Sequence, residues 1–202
     1  GVCVGGGAGN RRTEMAVWKG GRGVAWGSSR GFKPSETKPL WALQVAEILN
    51  EGGVPAGVYK GVQGMGEVGS ALVTDPRVNK VSLTGSVPTG KKVYAAAAEG
   101  MKHVPMELGG KSPLIVFEDA DIDNAVGGAI NGNFYSSGQV CSNGTRAFVH
   151  KDIKERFLAR LAERLAGAVR GDPKGGAVNF GPMLSERPRG TALGYMHKGQ
   201  GG

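Results

Sequence analysis

A chain of 202 residues and 20.8 kDa has room for one domain, or one domain and part of another, at roughly 150 residues per domain. Its 40% hydrophobic and 21% charged residues exclude a disordered tail, and no apolar run approaches the ~18 residues of a membrane span, so no membrane partner is expected. The net charge of +8 would suit a polyanion, but the excess sits at the two ends, without the alternation of aromatic and basic residues that stacking on single strands uses, so no nucleic-acid partner is expected.

The first 32 residues are rich in glycine and carry Arg11, Arg12, Lys19, Arg22 and Arg30 against Glu14, and they do not read as core. From residue 33 to 172, strand-length apolar stretches alternate with segments of helical period. Thr37 and Pro39 open a helix with Leu40, Leu43, Ala46 and Leu49 on one face, closed by Gly52 and Gly53. A strand at 58–62, a helix at 66–74, a strand at 80–84, a helix at 89–99 and a strand at 104–108 follow. Further on, the pattern predicts a strand at 112–117, a helix at 122–131 and a strand at 146–150. Asp152 and Glu155 then form a capping box for a helix whose apolar stripe is Phe157, Leu161, Leu165 and Val169. Its Arg156, Arg160 and Arg164 read as a solvated face. The alternation predicts an α/β fold built on a mostly parallel, Rossmann-like sheet.

Two cysteines, Cys3 and Cys141, are too few for a disulfide framework or a cysteine-pair metal site, which sets the expectation of a reduced, cytoplasmic protein without a metal. The chain begins with Gly1 and no signal-peptide pattern follows, so it is expected to start inside a longer protein.

Gly64-Met65-Gly66-Glu67-Val68-Gly69 matches the dinucleotide fingerprint in the strand-to-helix setting that its mechanism needs. The acid expected about 20 residues later for the adenosine ribose is missing. A second glycine turn, from Thr84 to Gly90, also opens a helix, and its amides would face an anion. A tight turn without a ligand is the other reading of both. Glu107-Leu108-Gly109-Gly110-Lys111-Ser112-Pro113 places a carboxylate at a strand end, either a catalyst or a surface residue. Cys141 lies among small and polar residues in Gly138-Gln139-Val140-Cys141-Ser142-Asn143-Gly144-Thr145-Arg146, a setting for a loop thiol whose thiolate backbone amides stabilise. A buried small hydrophobe is the alternative. His103, His150 and His197 are too dispersed to give it a nearby base.

Lys33-Pro34-Ser35-Glu36, the turn from Thr84 to Gly90, the segment from Glu107 to Pro113 and Gly138-Gln139-Val140-Cys141 together resemble the aldehyde dehydrogenase superfamily, in that order and at similar spacings. Phe134-Tyr135-Ser136-Ser137 before the cysteine, and Ser142 to Arg146 after it, look most like its betaine aldehyde and trimethylaminobutyraldehyde branch. The resemblance runs along nearly the whole chain and covers less than half of a family subunit.

The resemblance implies an NAD-dependent oxidation of an aldehyde to its carboxylic acid through a cysteine thiohemiacetal and thioester. It makes Cys141 the nucleophile, Glu107 the general base for the deacylating water, and Asn10, with the Cys141 amide, the oxyanion donor. Lys19 aligns with a lysine sometimes given a supporting catalytic role; a structural lysine is the other reading. Lys33 and Glu36, with Pro34 and Ser35 between them, would hold the adenosine ribose, which supplies the missing acid from before the glycine turn and disfavours a 2′-phosphate. Gly66 would lie on the adenine side and Gly85 and Ser86 at the pyrophosphate, with Gly90 and Leu108 among the cofactor-binding positions. Residues 1–108 would be an NAD-binding domain and 109–202 part of a catalytic domain. The full-length parent would be a homo-oligomer acting on a small aldehyde, and the segment alone would turn over poorly. A degenerate, non-catalytic nucleotide-binding fragment of the same fold is the alternative. Gly9, Arg11, Arg12, Gly21, Arg22, Gly23 and Arg30 stand where the family has apolar and aromatic residues, and buried unpaired arginines with added helix glycines would weaken that segment.

Overall fold

The computed structural model describes residues 1–9 and 12–201, which form two compact units, Gly1–Gly109 and Gly110–Gly202. The first unit runs β1 (Val2–Gly6), α1 (Arg12–Ala25), β2 (Ser29–Lys33), α2 (Leu40–Glu51), β3 (Tyr59–Gly61), α3 (Gly66–Thr74), β4 (Lys80–Gly85), α4 (Val87–Ala98) and β5 (Met106–Leu108). Its five strands pair in the order β3-β2-β1-β4-β5, all parallel, giving the α/β architecture that the sequence predicts. Parallel strands need helical crossovers, and these cover both faces. Met15 and Ala16 of α1 and Ala42 and Val45 of α2 bury Phe32 and Tyr59 on one side, while Val73 of α3 and Ala97 of α4 bury Val4 and Val81 on the other.

The glycine-rich beginning overturns its sequence reading. It supplies β1, the middle strand, with Cys3 and Val4 buried, and α1, with Met15 and Ala16 buried. Its glycines mark close approach instead of missing core: a Cβ on Gly7 would lie 2.6 Å from the Phe32 ring. Such contacts join residues far apart in sequence, so no local period announces them.

Helix α3 spans the residues expected, and α2 closes on Gly52 with Gly53 left-handed at φ +86°. The start of α2 differs. Pro39 occupies the N-cap, with no side-chain cap, and Thr37 gives its N–H to Ser35 Oγ in the preceding turn.

The second unit pairs β6 (Pro113–Val116) with β7 (Arg146–Val149) in parallel, joined through α5 (Ile122–Phe134). Asp121 caps α5, its carboxylate accepting the Asn124 N–H at 2.8 Å. A short 3-10 turn, Lys151–Ile153, leads into α6 (Lys154–Ala166). The expected capping box therefore does not form: Ile153 takes the N-cap, buried with Phe157 against Val116, Val126 and Ala129, and this packing sets the helix start. The stripe stops short of Val169, because α6 ends at Ala166 and the Val169 carbonyl accepts the Asn179 and Phe180 N–H groups. The arginine face is not simply solvated either. Arg160 bridges Asp123 and Glu163, and Arg164 donates to the Asp123 carbonyl, tying α6 to the start of α5. A last helix, α7 (Glu186–Gln200), carries no buried residue and gave no sequence signal. Among the described residues no helix is long and apolar enough to cross a membrane, and no cluster of His, Cys, Asp and Glu suits a metal ion.

Candidate active site

Strand order reverses at β1, which has β2 on one side and β4 on the other. In open parallel sheets the crevice beyond the strand ends at such a point is where ligands lie. Here it holds a cavity of about 630 Å³, inside the usual range for small-molecule sites. Lys33, Pro34, Ser35 and Glu36 from the end of β2, Gly66 from α3, and Gly85 and Ser86 after β4 all line it.

Local chemistry fixes these walls. Lys33 Nζ donates to the Pro34 carbonyl at 2.9 Å and lies 3.8 Å from the Glu36 carboxylate, which is itself open to solvent. The lysine stem runs over Gly69, where a Cβ would sit 3.6 Å from it. Gly64 adopts φ +144° to turn the chain into α3, whose N-cap, Met65, offers no side-chain oxygen. Its first amides are thus left for a ligand or water. A Cβ on Gly66 would meet nothing within 4 Å, so the wall there is open backbone. Ser86 caps α4 by accepting the Thr89 N–H at 3.4 Å.

Beyond the backbone amides of the turn from Thr84 to Gly90, further side chains of this cleft escaped the sequence reading. Thr89, Lys92, Val93 and Ala96 form one face of α4 along it, and their three- and four-residue spacing was the available signal. Thr84 also lines it, with Oγ1 buried and without a partner; its position depends on sheet register, which single-chain spacing does not give. Gly90 and Leu108 lie elsewhere. They pack on each other, a Cβ on Gly90 falling 2.8 Å from the Leu108 methyls.

Glu107 is exposed on β5 and pairs in register with Thr84 at the strand ends. Lys19 of α1 donates to Ser82 Oγ at 2.5 Å. Burial pushes its ammonium pKa down to about 8, with the Glu107 carboxylate opposing the shift. Asn10 lies outside the described residues.

Cys141 stands partly buried in the second unit, with a free thiol, between a left-handed turn and β7. Ser136, Ser137 and Gly138 take φ of +54°, +55° and +77°. For non-glycine residues that conformation costs about 1–2 kcal/mol each, and several bonds hold it. Ser137 Oγ donates to the Gly181 carbonyl at 2.9 Å, Gln139 Nε2 donates to the Ser136 carbonyl at 3.0 Å, and Gln139 Oε1 accepts the Leu184 N–H at 2.8 Å. Phe134 packs on Phe180 with ring centres 5.4 Å apart. On the other side of the cysteine, Asn133 Nδ2 donates to the Ala129 carbonyl at 2.9 Å and to the Gly144 carbonyl at 3.1 Å. A partly accessible thiol on an over-determined loop can act as a nucleophile, and the cleft of the first unit can hold an elongated, phosphate-bearing ligand.

A family model described as aldehyde dehydrogenase family matches residues 1–201. The chain is 60% identical over 198 residues to a betaine aldehyde dehydrogenase of Cereibacter sphaeroides, covering 98% of this chain and 41% of that protein. It is 58% identical over 200 residues to betaine aldehyde dehydrogenase 1 of Rhizobium meliloti, covering 99% of this chain and 41% of that one. Among solved structures, a betaine aldehyde dehydrogenase from Staphylococcus aureus in complex with NAD+ superposes with a TM-score of 0.93 at 36% identity, covering 97% of this chain and 39% of that chain. The chain thus spans about two-fifths of the length of these relatives.

Proposed function

The chain belongs to the aldehyde dehydrogenase family, and from that premise we propose that it carries the dinucleotide-binding unit and the nucleophile-bearing segment of an NAD-dependent enzyme that oxidises an aldehyde to its carboxylic acid. The observation that carries this reading is the cleft at the β1–β4 switch point, with Lys33, Glu36, Gly66, Gly85 and Ser86 on its walls.

The residues present fit NAD. The turn at Gly85 and Ser86, opening α4, suits a pyrophosphate, and open backbone at Gly66 with the uncapped start of α3 leaves room on the adenine side. Lys33 and Glu36 offer a donor and an acceptor to ribose hydroxyls, and the Glu36 carboxylate would repel a 2′-phosphate, which favours NAD over NADP. The unpartnered Thr84 hydroxyl supplies a further hydrogen-bonding group to the occupant. The bound dinucleotide supplies the hydride acceptor for the oxidation.

Cys141, as thiolate, adds its sulfur to the aldehyde carbon, and the carbonyl oxygen takes up the negative charge. The family resemblance assigns the oxyanion donors to the Cys141 backbone N–H and the Asn10 side-chain amide, a contribution of ~3 to 4 kcal/mol per donor. After oxidation the acid is held as a thioester on Cys141. Glu107 takes a proton from the attacking water, the carbon–sulfur bond breaks, and the carboxylic acid leaves with the thiol regenerated. By the relatives' names the substrate is betaine aldehyde or a similar quaternary-ammonium aldehyde. The complete reaction is proposed for a protein of the relatives' length, a homo-oligomer by the family resemblance, with little turnover from these 202 residues alone.

Two measurements on the purified chain test the reading. Calorimetry should detect NAD binding that weakens in Glu36→Ala and exceeds NADP binding; no NAD binding in a folded sample would overturn it. A thiol-reactive aldehyde analogue should modify Cys141 well ahead of buried Cys3; equal modification, or none, would remove the activated cysteine.

A further inference from the structure

Lys19 takes an unusual path. Its side chain leaves α1, lies across β1 and ends on the next strand, where Nζ donates to Ser82 Oγ at 2.5 Å. Gly5 and Ser82 are register partners in β1 and β4, and Gly5 clears the way: a Cβ there would come 3.3 Å from Lys19 Cβ and 3.2 Å from its Cδ. Two residues along β4 from Ser82, Thr84 pairs with Glu107, so the route ends on the strand next to the one that carries the proposed base.

We propose that Ser82 is a positioning residue, its hydroxyl seating the Lys19 ammonium beside Glu107 across the small floor that Gly5 leaves. This rests on the reading of Glu107 as the base of the reaction. A hydroxyl is suited to the task because it accepts from the ammonium without adding a second negative charge to a partly buried place. An alanine would leave the ammonium under-solvated where burial already disfavours its charge. The elements around Lys19 carry other ionisable groups: Glu14 and Arg22 on α1, Arg30 and Lys33 on β2, Glu47 and Glu51 on α2, and Lys80 on β4. Lys33 is engaged by Pro34 and Glu36, and Glu107 is the charge that acts on the Lys19 ammonium. Position thus couples the lysine to that carboxylate, and Ser82 sets the position.

Competitive acetylation of the 202-residue chain across pH 6 to 11, read at the Lys19 peptide by mass spectrometry, tests the proposal. The wild-type profile should turn near the lysine's pKa of about 8. Ser82→Ala should move the midpoint lower, because the charged amine loses its acceptor, and Ser82→Thr should restore it. A Ser82→Ala profile that superimposes on wild type, with Cys3 still protected from alkylation as proof of folding, would overturn the proposal. If Ser82→Ala does not fold, Ser82→Cys, of similar size and a poor acceptor, is read in the same way. Because Ser82 also lines the cleft, NAD binding measured on the wild-type chain separates the two ideas: its absence there alongside a shifted Lys19 profile in Ser82→Ala would sink the functional reading and leave the seat of Lys19 standing.

Discussion

The ring of Tyr59 on β3 occupies the space into which a side chain on Gly20 of α1 would project. Helix and sheet meet there at backbone distance, and the ring is buried with its hydroxyl unpartnered.

Gly20→Ala should therefore destabilise the first unit. Alanine favours a helix by up to ~1 kcal/mol over glycine, but overpacking a core costs ~1–3 kcal/mol. Urea melts should show a net loss, recovered in Gly20→Ala with Tyr59→Leu. Burial also raises the Tyr59 pKa from 10.0 to about 12. A phenol whose folded pKa is raised contributes its stability below pH 10 and loses it as pH climbs through 12. Tyr59→Phe should remove that alkaline loss and be at least as stable as wild type at pH 7, since it deletes an unsatisfied buried hydroxyl.

Lys19 gives the opposite pH window. Its pKa is lowered from 10.5 to about 8, so the unfolded chain binds the extra proton between those values and stability rises with pH across them. Lys19→Met should be more stable than wild type at pH 7, with the gain shrinking between pH 8 and 10.5. Melts at several pH values would show it; a gain constant with pH would contradict it.

Thr84→Val should separate stability from binding. Replacing a buried, unpartnered hydroxyl by a methyl should leave the ligand-free chain as stable or more so by about 1 kcal/mol. NAD affinity should fall in the same variant, as calorimetry would record; unchanged affinity would exclude Thr84 from the ligand's contacts.

Asn133 grips the cysteine loop on both sides: its amide nitrogen bonds the Gly144 carbonyl, and a Cβ on Gly138 would fall 3.1 Å from its own carbonyl oxygen. Asn133→Asp keeps the shape but sets a carboxylate against two carbonyls. It should cost about 1–3 kcal/mol and raise hydrogen exchange locally in residues 138–146. Exchange that stays at the wild-type level would remove Asn133 from the support of this loop.

These features differ in how far the chain announces them. Helix α3 was legible to the residue because the glycine turn at Gly64 runs directly into its apolar face, with no other segment between them. The capping-box reading of Asp152 failed because burial of Ile153 outweighed a local hydrogen bond. Strands β1 and β2 were missed because their glycines answer to Lys19, Phe32, Leu83 and Val4, partners set by the fold. In the cleft, Lys33 and Glu36 stand close together in sequence and carried a motif, whereas Thr84 and Lys92 depended on β4 and α4 being brought to the same crevice.

The placing of β1 at the middle of its sheet also governs how the chain must assemble. Val2–Gly6 gains one neighbour from β2 soon after synthesis, but its other edge waits for Lys80–Leu83. At about 5–20 residues per second, the ~80 residues between take roughly 4–16 seconds to emerge from a ribosome. For that interval the most interior strand of the finished unit is an open template, and the nascent protein is most exposed to wrong pairing before the cleft at the β1–β4 switch point exists.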